Sequence, residues 1–501
     1  MPFHRSVSVR SYPLGVQTLE GRIVPAGTIL ATLSPSGALS ILGDDDFNVV
    51  TLLVTGNDVT LTPNGDTTIN AAATGAPVTL VGVVKSIKAD LKGGGDDVSI
   101  NNAAAFNLSG AVAIALGDGN NTLTMNTTGI VSMASLTVTG GDGRDDVIVQ
   151  GAVNSAVTKA GKFSYLNGGS TTTLDGVNFG SLAVTAGNGV ANPNEVSLNN
   201  LTVTKAVSTA LANSNPALVT ITNSSIGGLK ETGYILGTTI LSSTVNGAIS
   251  IKGTFQADLQ LDGTTITKNV AITAPNASMT ASGIGSTING NLAITGTAYT
   301  QTSFQSTSLT EVKGNLSVKG AWFTDVFDAN SFFRASKNVS LKLGDGDNEV
   351  TIGDGGPAVV SILGNLSIQT GAGNDLINLD RLALSGFANL KLSGGADELS
   401  IENNSTFSGA FTADMGVGDD FISIAQNTMT SGAITFTGLV KILAGVGNDT
   451  LLLGLDPIGS GGDATSNAIF SNLFSIIDGG IGLNDFDLGA SQFSGADTPN
   501  W

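Results

Sequence analysis

The sequence predicts an all-β protein, a right-handed parallel β-helix (β-solenoid) with about 21–27 residues per coil. Three observations predict it. Pairs of apolar residues separated by one residue return at intervals of about two dozen positions. Short glycine-rich turns follow many of these pairs, and 67 of the 501 residues are glycine. Aromatic residues make up only 5% of the chain, so a thin core of small aliphatic side chains is expected.

The apolar pairs set the length of a coil. Four successive pairs begin at Ile249, Val270, Leu292 and Leu316, which are nearly evenly spaced along the chain. Alternation with period two is typical of β-strands. One unit of this length cannot bury its own apolar side chains, so the units are expected to stack around one continuous core. Parallel crossovers are right-handed by default, which gives the expected hand.

The sequence pattern divides the chain into four regions. Residues 1–28 contain no apolar segment typical of a secretory signal and are expected to be a disordered leader or sorting segment. Residues 29–75 alternate around turn signals, which predicts an N-terminal β cap. Residues 76–455 are predicted to form the solenoid, and residues 456–501 a loop-rich C-terminal cap and tail. Within the solenoid, a short helix or lateral loop is expected at residues 325–336.

Composition excludes several kinds of chemistry. The chain has no cysteine and one histidine, His4, so thiolate metal sites, disulfides and a Ser-His-Asp triad are unavailable to the folded body. The net charge of −19 argues against nucleic acid and anionic membranes as partners and favours cations. No apolar run is long enough for a membrane-spanning helix, so none is expected.

The glycine turns are the strongest chemical feature. Six windows share a glycine with apolar residues at −5 and −3, Gly at +2, Asp or Asn at +4, and apolar residues at +6 and +8. Their first glycines are Gly117, Gly141, Gly344, Gly371, Gly416 and Gly445. Equivalent turns of stacked coils lie about 4.8 Å apart, so their carbonyl and carboxylate oxygens are expected to offer the hard ligands that Ca²⁺ takes.

The predicted metal-binding residues are the acidic and amide residues of these turns and of their looser copies. They are Asp97, Asp118, Asn121, Asp142, Asp145, Asp345, Asp347, Asn348, Asp375, Asp397, Asp419, Asp420, Asp449 and Asp485. Gly, Asp and Asn are also what tight turns require for conformational reasons. The sequence therefore leaves two interpretations, calcium binding and turn chemistry alone.

The turns resemble the calcium-binding nonapeptide of repeats-in-toxin proteins, G-G-x-G-x-D followed by an apolar strand residue. Gly371, Gly373 and Asp375 fit that pattern. The resemblance implies Ca²⁺ as the bound ion. Two features differ from that family: the turns recur once per coil instead of in tandem nonapeptides, and Asn replaces Asp at Asn121 and Asn348.

A second resemblance concerns location. Residues 19–25, LEGRIVP, resemble the L-E-x-R-x-x-P stretch near the start of large secreted, repeat-rich proteins of planctomycete bacteria. Residues 37–50, and the unit GNLSI or GNLAI at 364–368 and 290–294, are also similar to those proteins. The resemblance implies an extracellular or cell-envelope location and a repeat fold, and it implies no activity.

Two classes of function remain. We expect a non-catalytic extracellular or cell-surface structural or adhesive solenoid, with cations and polysaccharide or other cell-surface components as partners. The alternative is a carbohydrate-binding or polysaccharide-degrading β-helix. A lyase needs a basic residue beside acidic ligands, and only Arg144 and Arg381 qualify, although both also fit turn or strand-end charges. Outward rows of Thr, Ser and Asn, as at 264–267, suit contact with polysaccharide and equally suit a solvated face.

Overall fold

The structure is a computed structural model, and it describes most of the solenoid. The described residues are 27–55, 58–102, 105–188, 192–212, 216–330, 332–353, 358–425, 433–454, 468–470, 476–487 and 492–493. Within them every regular element is a β-strand, and the strands stack in parallel into a β-solenoid. The all-β solenoid predicted from the sequence is thereby confirmed. None of the described segments forms a helix long and apolar enough to cross a membrane.

Two of the predicted regions lie largely outside the described residues. The leader expected at residues 1–28 is described only from residue 27 onward. Of the C-terminal cap and tail expected at residues 456–501, only three short segments are described, and each contains a β-strand that continues the ladders.

Most strands have two to seven residues, and the six that have 13 or more continue around a corner without interruption. In chain order the strands form three consecutive groups. The first group is β1 (Thr28–Leu33), β2 (Ala38–Leu42), β3 (Val49–Thr55), β4 (Asp58–Pro63), β5 (Thr68–Ile69), β6 (Val78–Val81), β7 (Ser86–Asp90), β8 (Asp97–Asn102), β9 (Phe106–Asn107), β10 (Ala111–Gly117), β11 (Asn121–Thr127), β12 (Val131–Met133) and β13 (Ser135–Gly140). The middle group is β14 (Asp145–Tyr165), β15 (Ser170–Ala186), β16 (Glu195–Asn199), β17 (Thr202–Val203), β18 (Val207–Leu211), β19 (Ala217–Thr222), β20 (Ser225–Ile226), β21 (Leu229–Leu241), β22 (Thr244–Val245), β23 (Ile249–Asp262), β24 (Thr265–Ile266), β25 (Val270–Gly283), β26 (Thr287–Ile288), β27 (Leu292–Ser306), β28 (Thr310–Val312), β29 (Leu316–Lys319), β30 (Val326–Ala329) and β31 (Phe333–Ala335). The last group is β32 (Val339–Lys342), β33 (Glu349–Ile352), β34 (Val360–Ile362), β35 (Leu366–Gln369), β36 (Leu376–Asp380), β37 (Leu382–Leu384), β38 (Ala388–Lys391), β39 (Glu398–Glu402), β40 (Thr406–Phe407), β41 (Phe411–Asp414), β42 (Phe421–Ile424), β43 (Ile434–Phe436), β44 (Val440–Leu443), β45 (Thr450–Leu453), β46 (Ala468–Phe470), β47 (Ile476–Asp478), β48 (Asp485–Asp487) and β49 (Gln492–Phe493).

Antiparallel strands begin the fold. Strand β1 pairs antiparallel with β2, and β4 pairs antiparallel with both β3 and β6. The parallel ladders start from the same elements, because β2 pairs with β7 and β3 with β8. The N-terminal strands thus cover the first coil, where an uncovered solenoid would present an open sheet edge.

The solenoid has three faces. The first face runs from β2 and β7 through β10, β13, β18, β29, β32, β35, β38, β41 and β44 to β47. The second face runs from β3 and β8 through β11, β16, β19, β30, β33, β36, β39, β42 and β45 to β48. The third face runs from β9 and β12 through β17, β20, β22, β24, β26, β28, β31, β34, β37, β40, β43 and β46 to β49. Strands β14 and β15 contribute to all three faces, and β21, β23, β25 and β27 contribute to the first and second.

The core is a column of aliphatic side chains in register. Ile249, Val270, Leu292 and Leu316 are successive partners on the first face, and each is at most 1% exposed. The predicted role of the apolar pairs is confirmed.

Coil length departs from the expected range in both directions. Direct partners in adjacent coils lie 19 residues apart at Ala217 and Leu236, 29 apart at Phe411 and Val440, and 35 apart at Lys441 and Ile476.

Phenylalanine side chains widen the core at a few coils. Phe407 and Phe436 are partners on the third face, and their rings stack with centroids 4.9 Å apart. The expectation of a helix or lateral loop at residues 325–336 was wrong. Those residues supply strands β30 and β31, and Phe327 and Phe333 point into the core. The clustered aromatic residues reflect inward packing.

Side-chain ladders join the coils at the corners. We call the bend from the first face to the second the first corner, and the next two bends the second and third corners. At the third corner, the Asn291 side-chain oxygen accepts the backbone N–H of Asn315, and that of Asn338 accepts the N–H of Asn365, both at 2.9 Å. This ladder is a structural reason for the recurring Gly-Asn unit. At the second corner, the Ser286 hydroxyl accepts the backbone N–H of Thr264 at 3.1 Å.

Candidate functional site

A column of polar residues lines the inside of the first corner, in an interior that is mainly aliphatic. Apart from the half-buried Asn484, its members are at most 2% exposed. We call this set the inner column. It has one stretch near the N-terminus and another in the C-terminal half of the solenoid. Its members are Asn48, Asp96, Asn121, Asp145, Asn194, Asp325, Asn348, Asp375, Asp397, Asp420, Asp449 and Asn484.

One oxygen of each carboxylate binds the neighbouring coil. The backbone N–H of Asp375 donates to Asp397 Oδ1 at 2.9 Å, and that of Asp397 donates to Asp420 Oδ1 at 2.9 Å. The backbone N–H of Asp420 in turn donates to Asp449 Oδ1 at 3.0 Å. The N-terminal stretch begins in the same way, with the N–H of Asn48 donating to Asp96 at 2.8 Å. These bonds give the inner column a structural role in stacking the coils.

The asparagines show which groups surround the second polar atom of the side chain, the one that does not accept the backbone N–H of the preceding coil. Asn348 Nδ2 donates to the carbonyl oxygens of Gly344 and Gly346, at 3.0 and 2.8 Å. Asn121 Nδ2 does the same with Gly117 and Gly119, both at 3.2 Å. Each asparagine therefore places a donor against two carbonyl oxygens of its own turn.

An aspartate places an oxygen where asparagine has this donor. Five aspartates of the inner column have a buried Oδ2 atom without a hydrogen-bond partner: Asp96, Asp145, Asp397, Asp420 and Asp449. The carboxylate of Asp375 instead faces the hydroxyl of Thr370. In contrast, Asp325 binds Thr300 through Oδ1 and the N–H of Gly344 through Oδ2. A buried oxygen facing carbonyl oxygens is unfavourable unless a proton or a cation lies between them.

Burial makes these carboxyl groups weaker acids than an aspartate in water. It raises the pKa of Asp96 and of Asp397 to about 6. Burial and, to a smaller extent, neighbouring carboxylates raise the pKa of Asp145 and of Asp420 to about 7. Burial also raises the pKa of Asp449. The backbone N–H bonds act in the opposite direction but do not outweigh the loss of hydration.

The structure distributes the predicted metal-binding residues over three places. Seven belong to the inner column: Asn121, Asp145, Asn348, Asp375, Asp397, Asp420 and Asp449. Five lie on the exposed outside of the first corner: Asp118, Asp142, Asp345, Asp347 and Asp419. Asp97 and Asp485 begin strands of the second face. The sequence pattern thus brought together two sets of residues that point in opposite directions.

The exposed carboxylates also join coils. Asp345 accepts the backbone N–H of Ala372 at 3.0 Å, and Asp419 accepts that of Asn448 at 2.8 Å. These oxygens bond towards the following coil, whereas the inner column bonds towards the preceding one. For this outer set, hydrogen bonding within the turns accounts for the residue type.

Five members of the inner column were missed by the sequence analysis: Asn48, Asp96, Asn194, Asp325 and Asn484. A simple signal exists, since Asp325 precedes the inward residues Phe327 and Ala329 by two and four positions. Asp96 stands in the same relation to Val98. An acidic or amide residue two positions before an alternating apolar pair would have found them.

The carboxylates of the inner column belong to different coils, so each could contribute oxygens to a cation only beside backbone groups. Among the described residues, no three His, Cys, Asp or Glu side chains gather into a group that could hold a metal ion. A cation at Asp420 would therefore depend on Oδ2 together with backbone carbonyls such as those of Gly416 and Gly418. Ca²⁺ accepts backbone carbonyls as ligands, so the type of donor suits it, and these three oxygens would supply part of the six to eight that it takes.

In comparison with known proteins, no family model, curated protein or solved structure matches this chain. The fold and the site together define a repeat-rich β-solenoid with a polar column inside one corner.

Proposed function

We propose that the protein is a non-catalytic structural and adhesive solenoid of the cell surface or the extracellular space, and that Ca²⁺ binds in its inner column. The observation that carries the calcium proposal is the set of buried, unpartnered Oδ2 atoms. In an equivalent turn, Asn348 uses the corresponding branch of its side chain to donate to two glycine carbonyls. A cation would satisfy the carboxylate and the carbonyls together.

Charge supports the same proposal. Asp397, Asp420 and Asp449 follow one another in adjacent coils, joined only by backbone-to-carboxylate bonds. Two unit charges about 5 Å apart repel by about 0.8 kcal/mol in water and by several times more in a partly buried site. Asp419 adds a further negative charge outside the same corner. Bound divalent cations would neutralise this column.

The structural role rests on the continuity of the ladders. Coils are hydrogen-bonded along three faces and at the corners, and the core runs from Ile29 to Ile477. Such an assembly resists bending and local unfolding, because every coil is stabilised by its neighbours. Of the two arginines considered for lyase chemistry, Arg144 binds Asp146 at 3.0 Å and Thr171 at 3.1 Å, which supports a structural role for it.

A melting experiment tests the calcium proposal. The melting temperature of the full chain is measured by circular dichroism at pH 7.5 in EDTA and in millimolar Ca²⁺, and binding is measured by calorimetry. A ligand at 100 times its dissociation constant stabilises the folded state by about 2.7 kcal/mol per site, so we expect an increase of several degrees. In the variant D397N/D420N the increase should shrink, because the amide nitrogens replace the ion.

The matched control is D419N, which removes one charge outside the same corner. It should keep the response to Ca²⁺. No calcium-dependent change in the wild-type chain would contradict the proposal and leave turn chemistry as the explanation of the inner column. Cell fractionation with an antibody against the chain tests the proposed location, and recovery in the cytoplasm alone would contradict it.

A further inference from the structure

Charge is segregated between two faces of the solenoid. The chain carries a net charge of −19, yet lysines project from the first face. They are Lys88, Lys162, Lys230, Lys252, Lys319, Lys342, Lys391 and Lys441. The parts of the described strands that lie on the second face contain no lysine or arginine and many outward carboxylates. The first face is therefore a basic surface on an acidic protein.

The most regular part of this surface lies on β29, β32, β35 and β38. Three successive coils there carry the outward pattern Asn-x-Ser-x-Lys or Asn-x-Ser-x-Gln, and the next coil continues with Asn and Lys. We call this set the polar strip. Its members are Asn315, Ser317, Lys319, Asn338, Ser340, Lys342, Asn365, Ser367, Gln369, Asn389 and Lys391.

The strip consists of straight rows along the solenoid axis. Lys319 and Lys342 are direct register partners, and Lys342 is in turn the partner of Gln369. Ser317 and Ser340 are partners in the adjacent row. Lysine and hydroxyl side chains therefore alternate across the face and repeat along it at about 4.8 Å per coil.

Adjacent lysines without counter-charges are unfavourable for the fold. Like charges directly opposite one another in a sheet are destabilising. Over the described part of the chain, Lys319, Lys342 and Lys391 form no salt bridge, although Asp414 is the direct register partner of Lys391. Lys319 and Lys342 are partners of one another and have no acidic partner in their row. All three are exposed. Asp345, which follows Lys342 at the corner, accepts a backbone N–H of the next coil. The rows of lysines suit an external anion better than they suit the solenoid itself.

The spacing of the lysines limits the kind of anion. The lysine row extends from Lys252 through Thr273 and Thr295 to Lys319, Lys342 and beyond. From Lys252 to Lys391 it covers six coil steps, or roughly 29 Å. Four lysines over that length are far sparser than the charges of DNA, about one per 3.4 Å on each strand.

The remaining groups suit a sugar polymer. The serine row offers hydroxyls beside the charges, which is chemistry that binds sugar hydroxyls. The asparagine row offers amide nitrogens, because the side-chain oxygens of Asn315, Asn338 and Asn365 accept backbone N–H groups of the next coil.

At the N-terminal end of the lysine row, a cavity of about 490 Å³ is lined by Tyr234, Thr232 and Lys252, among others. The Tyr234 ring stacks on Phe255 at 5.4 Å, and both rings are 43% exposed. Exposed aromatic rings of this kind can pack against the apolar side of a sugar.

We propose that the first face binds an extended acidic polysaccharide, one with carboxylates on some of its sugars, along the polar strip. The lysines pair with the carboxylates, and the serine and asparagine rows bind the hydroxyls. The proposal specifies a partner for the adhesive role proposed above. It does not depend on the binding of calcium.

Binding of hyaluronan fragments to the full chain tests the proposal. The measurement is calorimetric, in EDTA, at low and at raised salt, with dextran and a single-stranded oligonucleotide as comparison polymers. We expect hyaluronan to bind, binding to weaken with salt, and dextran to bind poorly. The variant K319T/K342T should bind about tenfold more weakly. Threonine is a suitable replacement, because Thr273 and Thr295 occupy the same row.

The matched control is K85T/K159T, which removes two exposed lysines several coils away. It should bind hyaluronan like the wild-type chain. Equal weakening in both variants, equal binding of dextran, or tighter binding of the oligonucleotide would each overturn the proposal. Unchanged melting temperatures in both variants establish that the fold is intact. The calcium-dependent melting experiment reports separately on the inner column, so failure of one proposal is distinguishable from failure of the other.

Discussion

The substitution D420N should stabilise the calcium-free protein, which is unusual for the loss of a buried carboxylate that accepts a hydrogen bond. Asp420 is 2% exposed, and its Oδ2 atom has no hydrogen-bond partner. Burial raises its pKa from 3.8 to about 7. Each unit corresponds to about 1.4 kcal/mol, so ionisation of this group opposes folding by up to about 4 kcal/mol at pH 8. An amide carries no charge and supplies the donor that Asn348 uses in the equivalent turn.

The sign of the pH dependence follows from the raised pKa. The folded protein holds the proton of Asp420 more tightly than the unfolded chain does. In EDTA, wild-type stability should therefore be highest near pH 4 and should fall as the pH rises towards 7 and above. D420N should lack this contribution, so its advantage should be about 4 kcal/mol at pH 8 and less than half of that at pH 5.

The assay is thermal and urea-induced unfolding followed by circular dichroism, at pH 5 and pH 8, in EDTA. The control D419N changes an exposed carboxylate that accepts the N–H of Asn448 at 2.8 Å, and its effect should be small at both pH values. The reasoning is refuted if D420N is destabilised at pH 8 while D419N is not. It is equally refuted if the wild-type protein becomes more stable between pH 5 and pH 8 in EDTA.

Two further substitutions probe the stacking of the coils. G418A should lower the melting temperature strongly, because an added Cβ would overlap the carbonyl oxygen of Gly395 and the backbone φ is +150°. G65A is its control, because φ is +63° there and no atom lies within 4 Å of the added carbon, so the substitution introduces only the strain of the turn. A similar decrease of the melting temperature in both variants would contradict the stacking argument. F407A should cost about 3–5 kcal/mol, since the buried ring stacks on Phe436, whereas F387A, at a ring 48% exposed, should cost much less. Equal urea midpoints for F407A and F387A would show that the ring of Phe407 is not part of a packed core.

The sequence predicted the core well because periodicity is a local signal. The pair Val339 and Leu341, like the other apolar pairs, alternates with polar residues, and both members are at most 1% exposed. Asp375 and Asp420 were also found, because two glycines mark their turns. The local sequence was sufficient to find a member of the inner column wherever its turn contained both glycines of the motif.

Other parts of the site required the three-dimensional register. Asp96 and Asp97 are adjacent, and only the direction of each side chain shows that Asp96 belongs to the inner column. Asp325 follows a turn with Ala321 and Phe323 at the positions of the two motif glycines, so the motif did not include it. The polar strip could not be predicted from the sequence for a different reason. A net charge averages over the chain, while Lys319 and Lys342 become neighbours only when successive coils are stacked in register.

Anomalous diffraction from crystals grown in Ca²⁺ near pH 7.5 tests the central claim most directly. The account predicts anomalous peaks inside the first corner, in contact with Oδ2 of Asp420 and the carbonyl oxygens of Gly416 and Gly418, and no such peak at Asn348. Well-defined density for Asp397 and Asp420 without any anomalous peak beside Oδ2 would contradict it.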